Sequence, residues 1–247
     1  MQEVLDKHYR RLAKDYDEFL HYSNDFVRNL TSKMVEKLEL KPADVLADIG
    51  CGTGIYSRDI LEQVPFEQPV LGVDPFGEML DKIPQSVPIT PIVEDALEFS
   101  RKPGEYNKVL IKETIHHIND IETLLQNLYN NLPTGGILLM VHVPPNVQYP
   151  LFDKALARCL EWHADPIELV RLSELAGFSV DHDGHDHQHR IPKEHYHRMV
   201  ANCYMSALTS LNEEELAAGL EEMEQKHADL DILEFTDHFD FIRAKKT

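Results

Sequence analysis

Gly50, Gly52 and Gly54 stand at alternate positions in Asp48-Ile49-Gly50-Cys51-Gly52-Thr53-Gly54, directly after an apolar run and directly before a helical pattern. Glycine carries no β-carbon, so a loop of this kind turns sharply and lets its backbone approach a ligand closely. The spacing departs from the dinucleotide fingerprint G-x-G-x-x-G, whose third glycine would fall on Ile55. It favours a nucleoside ligand that has no pyrophosphate. Asp48 opens the loop, Asp74 follows a second apolar run and Asp95 a third. An ionised carboxylate only accepts hydrogen bonds and can take two donors at once. A histidine pair, His116-His117, follows a fourth run. Free imidazole titrates at about 6.5, which suits it to proton transfer near neutral pH.

A second group of histidines lies in Asp181-His182-Asp183-Gly184-His185-Asp186-His187-Gln188-His189. Alternation on a strand puts His185, His187 and His189 on one face, and the ligand type suits zinc or copper. The row advances about 6.6 Å per two residues, more than one tetrahedral ion comfortably bridges. The sequence therefore predicts a solvated or pocket-lining polar strand, with no metal.

The elements that must hold these groups can be read from periodicity. Apolar runs over Val45 to Ile49, Val70 to Val73, Ile89 to Val93, Lys108 to Ile111 and Ile137 to Val143 alternate with helical segments over Tyr56 to Gln63, Gly77 to Ile83 and Ile121 to Leu132. Strands separated by helices argue for a doubly wound, mostly parallel sheet with helices on both faces. Past Pro144-Pro145 the pattern predicts helices over Tyr149 to His163 and Pro166 to Ala176, the second capped by Gly177. Two strand-like stretches, Phe178 to His189 and Leu233 to Arg243, flank the acidic helix Asn212 to Asp229, and complete a seven-stranded sheet. Residues 1–40 read as an N-terminal helical lid, 41–144 as the ligand-binding core, and 145–247 as the part that completes the sheet and carries a cap at about 190–230. Tyr9, Tyr16 and Tyr22 in the lid, with Tyr196, Arg198 and Tyr204 in the cap and His142 at the end of the fifth strand, are the expected substrate-binding residues.

Val45-Leu46-Ala47-Asp48-Ile49-Gly50-Cys51-Gly52-Thr53-Gly54 resembles the first motif of the class I S-adenosylmethionine-dependent methyltransferases, small-molecule type. The likeness continues through Leu71-Gly72-Val73-Asp74, Val93-Glu94-Asp95-Ala96, Tyr106 to Ile118 and Leu132-Pro133-Thr134-Gly135-Gly136. It implies S-adenosyl-L-methionine as cofactor, Asp74 on the ribose hydroxyls and Asp95 on the adenine amino group. Asp48, Gly50, Cys51, Gly52, Gly54, Pro75, Met79, Ala96, Lys112 and Glu113 are implied as further cofactor contacts. His117 first and His116 second are the implied bases for an acceptor that must lose a proton. One position departs from the pattern: Asn107 stands where many relatives have Asp.

Charge narrows the acceptor. The 247 residues carry a formal net charge of −19, which repels nucleic-acid phosphates and anionic lipid surfaces. A small molecule is the expected partner, with oligomeric state left open. The three cysteines are odd in number and widely spaced, and no apolar run approaches membrane-spanning length, so a reduced, cytoplasmic protein is expected. Two other readings stay open: a nicotinamide-dependent oxidoreductase on the same fold, which Ile55 opposes, and a non-catalytic sensor of the same nucleoside.

Overall fold

Each apolar run becomes a strand. In the computed structural model, which describes residues 23–247, β1 (Leu46–Ile49), β2 (Val70–Asp74), β3 (Ile89–Val93), β4 (Lys108–Lys112) and β5 (Ile137–His142) pair in parallel. β7 (Ile232–Lys245) joins β5 antiparallel and β6 (Ser179–Pro192) joins β7 antiparallel, giving the order β3-β2-β1-β4-β5-β7-β6. The doubly wound, mostly parallel seven-stranded sheet expected from the sequence is the one observed. β1 and β5 are buried at every position, as strands covered on both faces must be.

Alternation along β5 divides the core. Ile137, Leu139 and Val141 face α1 (Asn24–Leu38), which contributes Phe26, Leu30, Met34 and Leu38. Leu138 and Met140 face α5 (Ile121–Asn131), which contributes Leu124, Leu125 and Leu128. Each such side chain is worth about 1.5–3 kcal/mol on full burial. Asn107 explains its departure from the family pattern: its amide accepts from the Val45 N–H at 2.9 Å and donates to Asp44 at 2.6 Å. An aspartate could make only the first of these bonds.

Three boundaries differ from expectation. The helix foreseen to reach Ile83 stops earlier, as α3 (Gly77–Leu80), because Pro84 disfavours helical backbone before it. Pro150 likewise delays α6 (Asp153–Trp162), foreseen from Tyr149. The short α4 (Ala96–Ser100) had no periodic signal, and Asp95 caps it by accepting the Glu98 N–H at 2.9 Å.

The chain passes from β1 outward through β2 and β3, then returns to start β4 on the other side of β1. Loops after β1 and β4 therefore part at the C-terminal ends of the strands and leave a crevice there. β6 and β7 pair along fourteen residues each, whereas β5 pairs with β7 only from Ile137↔Lys245 to His142↔Asp240. The remainder of the ribbon rises past that same edge, carrying Phe235, Asp237 and Phe239 with it. Of its histidines only His189 is buried; His185 meets Asn29 at 2.5 Å, and the rings of His187 and His189 both lie 5.0 Å from that of Phe26. Among the described residues no cluster of histidine, cysteine and carboxylate is arranged to hold a metal ion, and no helix is long and apolar enough to cross a membrane.

Candidate functional site

A cavity of about 320 Å³ occupies the crevice. Its floor is the glycine loop between β1 and α2 (Ile55–Gln63). Gly50, Gly52 and Gly54 all have positive φ, at 78°, 56° and 72°. At Gly50 there is a second demand, since a β-carbon would lie 2.0 Å from Thr114 Oγ1. Gly50 and Cys51 donate their N–H groups to the Val73 carbonyl at 2.7 and 3.1 Å, tying the loop to β2.

Asp74 completes that tie. One carboxylate oxygen accepts the Gly52 N–H and the other the Phe76 N–H, both at 2.9 Å. Burial raises its pKa to about 6, although the Phe76 and Gly52 bonds oppose the rise. Asp48, beneath the loop, accepts the Ser57 hydroxyl at 2.6 Å. Burial raises it to about 6 as well, the Ser57 bond opposing and the Asp74 charge reinforcing. The far wall holds Glu94 and Asp95. Glu94 Oε2 is buried with no hydrogen-bond partner among the described residues, while Oε1 accepts from Lys102 at 2.5 Å.

Beyond β4 the chain makes a turn of 3-10 helix over Ile115–His117. Glu113 enters it in the left-handed region at φ 52°, and its Oε1 accepts the Val143 N–H at 2.8 Å. His117 lines the cavity with its ring edge-on to Trp162, 6.2 Å between centroids. Burial, and then the charge of His163, lower its pKa to about 4. His116, its ring centroid 4.1 Å from that of His117, stacks on His163, with centroids 5.3 Å apart and planes inclined by 12°. Burial first, then His117 and His163, hold His116 well below the usual imidazole range. The histidine pair thus divides, and neither member titrates near the free value of 6.5.

The structure brings together on the cavity wall Asp48, Gly50, Cys51, Gly52, Asp74, Pro75, Met79, Asp95, Ala96, Lys112, Glu113 and His117. Gly54 ends the loop one step outside, where it packs near Ile83 and Ile89. His116 and the expected substrate residues of the cap do not line this cavity. Tyr196 is fully buried and its hydroxyl meets that of Tyr204 at 3.1 Å, because the apolar face of α8 (Lys193–Ala201) packs into the main core. Arg198 is on the exposed face of the same helix. His142 is 1% exposed and its Nδ1 lies 3.0 Å from the Val143 carbonyl. Tyr9, Tyr16 and Tyr22 lie outside the described residues.

Several lining residues were not foreseen: Tyr56, Phe76, Glu94, Leu97, Thr114 and Asn119. Glu94 had a signal, its place next to Asp95. The others follow from where the helices and turns begin, which periodicity locates only to within a few residues.

A family model described as a methyltransferase domain matches residues 46–136. Over 139 residues the chain is 25% identical to a malonyl-[acyl-carrier protein] O-methyltransferase of Bacillus cytotoxicus, covering 55% of this chain and 48% of that protein. The chain thus spans about half the length of that relative. In fold it is similar to a protein of an antibiotic biosynthesis pathway from Anabaena variabilis, with a TM-score of 0.67 at 18% identity over 88% of this chain and 96% of the other. It is also similar to phosphoethanolamine N-methyltransferase 2 of Haemonchus contortus in complex with phosphomonomethylethanolamine and S-adenosylhomocysteine, with a TM-score of 0.55 at 19% identity over 88% and 52%. The stretch from β1 to the turn before β5 is thus similar to a methyltransferase domain.

Proposed function

We propose that the protein transfers a methyl group from S-adenosylmethionine to a small-molecule acceptor. The observation that carries this reading is the cavity at the β1/β4 crossover, floored by a glycine loop with no room for a β-carbon at Gly50 and flanked by two buried carboxylates. These residues fit a nucleoside bearing an amino-acid arm. The loop offers backbone at close range to that arm, with Asp48 supplying negative charge beneath it. Asp74 takes the ribose hydroxyls on the lone pairs that Gly52 and Phe76 leave free. The unpartnered Oε2 of Glu94, next to Asp95, can accept from an adenine amino group. Met79, Pro75, Ala96 and Leu97 supply apolar surface for the base.

When bound, the cofactor supplies an electrophilic methyl group on sulfur. What remains for the chain is to align the acceptor with that methyl and exclude water. The β4 wall, with Lys112, Glu113 and His117, is the surface that faces the acceptor. Neutral His117 can accept a hydrogen bond there. The relatives act, by their names, on malonyl-[acyl-carrier protein] and on phosphoethanolamine, and a net charge of −19 disfavours nucleic acid.

Calorimetry with S-adenosylhomocysteine, followed by a metabolite screen for its release from S-adenosylmethionine, tests the reading. Binding and turnover are expected. A folded protein that binds NADH and not S-adenosylhomocysteine would return the oxidoreductase, and binding without turnover against every acceptor would favour the sensor.

A further inference from the structure

Lys112 is the sole lysine or arginine lining the cavity among the described residues, against the carboxylates of Asp48, Asp74, Glu94, Asp95 and Glu113. It ends β4, where it pairs with Val141 of β5. Its ammonium nitrogen lies 4.4 Å from the centre of the Tyr56 ring and 5.5 Å from that of Phe239. The two rings come from the start of α2 and from the ribbon that overhangs the sheet edge, so this slot exists only in the folded chain.

The acids whose charge reaches the ammonium, Glu113, Asp237 and the Ser57-bonded Asp48, are engaged elsewhere. Glu113 accepts the Val143 N–H at 2.8 Å, and Asp237 accepts the Tyr149 hydroxyl and faces His189 at 3.5 Å. No ion pair joins Lys112 to a carboxylate among the described residues. Burial alone would favour the neutral amine, but Tyr56 and Glu113 outweigh it and raise the pKa above that of a free lysine. The ring faces are worth about 0.5–2 kcal/mol, and the Tyr56 hydroxyl adds one hydrogen bond. An ammonium has three N–H donors to place, and the open side is the cavity.

The neighbouring imidazole points the same way. His117, lowered to about 4 by burial and then by His163, is too weak a base to draw a proton from a hydroxyl or an ammonium. An acceptor suited to this wall arrives without that proton.

We propose that Lys112 binds the carboxylate of the methyl acceptor, and that the acceptor is a carboxylic acid, ionised before it enters. This rests on the methyl-transfer reading. In the step it implies, a carboxylate oxygen lone pair forms the new bond to the methyl carbon. The methyl–sulfur bond breaks and its pair stays on sulfur, with no proton released. The ester formed has lost its charge, so its hold on Lys112 weakens and the product leaves.

A carboxylate at this position could also be the cofactor's own, and the experiment separates the two. Malonate is titrated calorimetrically into the full chain saturated with S-adenosylhomocysteine, in the wild type, Lys112→Gln and Lys112→Arg. Malonate affinity is expected to fall about tenfold or more in Lys112→Gln and to survive in Lys112→Arg, the scale of one lost charge-assisted bond. The affinity for S-adenosylhomocysteine should stay within about threefold throughout. Lys112→Met, which keeps an apolar stem between the rings, replaces Gln if that variant does not fold. A wild type that binds S-adenosylhomocysteine but no malonate, or equal malonate affinity in both proteins, overturns the proposal. So does a tenfold loss of S-adenosylhomocysteine affinity with malonate unchanged, which would assign Lys112 to the cofactor. No S-adenosylhomocysteine binding by the wild type would instead overturn the methyl-transfer reading.

Discussion

The carboxylate of Asp74 at the end of β2 accepts the backbone N–H of Gly52 at 2.9 Å, so the loop that floors the cavity is held by the acid that faces into it. Asp74→Asn preserves the volume and exchanges one acceptor oxygen for a donor. Its affinity for S-adenosylhomocysteine is expected to fall by about 1.5–3 kcal/mol, the range for a lost hydrogen bond to a charged group. Calorimetry on the folded variant reads this directly, and unchanged affinity would remove Asp74 from the ligand.

Gly50→Ala tests the close approach to Thr114. The added β-carbon meets Thr114 Oγ1 at 2.0 Å in a backbone with φ of 78°, and the left-handed conformation alone costs roughly 1–2 kcal/mol. Chemical denaturation should show at least that loss. In the double variant with Thr114→Gly the clash term should vanish and the conformational term persist. A single variant as stable as the wild type would contradict the geometry.

Asp48 and Asp74 both titrate at about 6 in the ligand-free fold. Their folded pKa values lie above the unfolded value of 3.8, so the fold binds protons more tightly than the unfolded chain. Their contribution to stability is therefore lost as pH rises from about 4 to 6. A ligand that donates hydrogen bonds to them needs the ionised form. Its affinity should weaken below pH 6, about tenfold per pH unit for each carboxylate that must ionise. Calorimetry between pH 5 and 8 checks this, and a flat profile would mean that neither carboxylate touches the ligand.

For His117 a base of ordinary pKa would make the rate of methyl transfer rise through about 6.5. Held at about 4, the imidazole is already neutral at pH 5.5, and the single-turnover rate should be flat in its titration from there to 8. His117→Asn should keep that profile and lose less than the roughly 10²–10⁴-fold expected for removal of a general base. An inflection near 6.5 in the wild type that disappears in the variant would restore His117 as the base.

Much of this protein was legible along the chain because its signals are local. Positive φ favours glycine wherever it occurs, so Gly50-Cys51-Gly52-Thr53-Gly54 announces a tight loop in any context. Five apolar runs alternating with helical periods leave few topologies beyond a parallel sheet, and Gly177 and Asn212 mark helix ends by their own chemistry. Asp48, Asp74 and Asp95 were legible as cavity-wall residues for the same reason, each standing at or just past the C-terminal end of a strand.

What only the tertiary structure decided depends on which distant side chains share a dry space. His116 and His117 are neighbours in sequence, yet one faces the cavity and the other stacks on His163. Their pKa values fall because burial strips water from the charged form, a property of the packing and not of the residue type. Tyr196 and Tyr204 look equally suited to a pocket or a core, and the docking of α8 places them in the core. Lys112 reads on paper as one more charge at a strand end. The slot between Tyr56 and Phe239 that gives it a task is assembled from segments far apart in the chain, brought together by a strand register that no local pattern encodes.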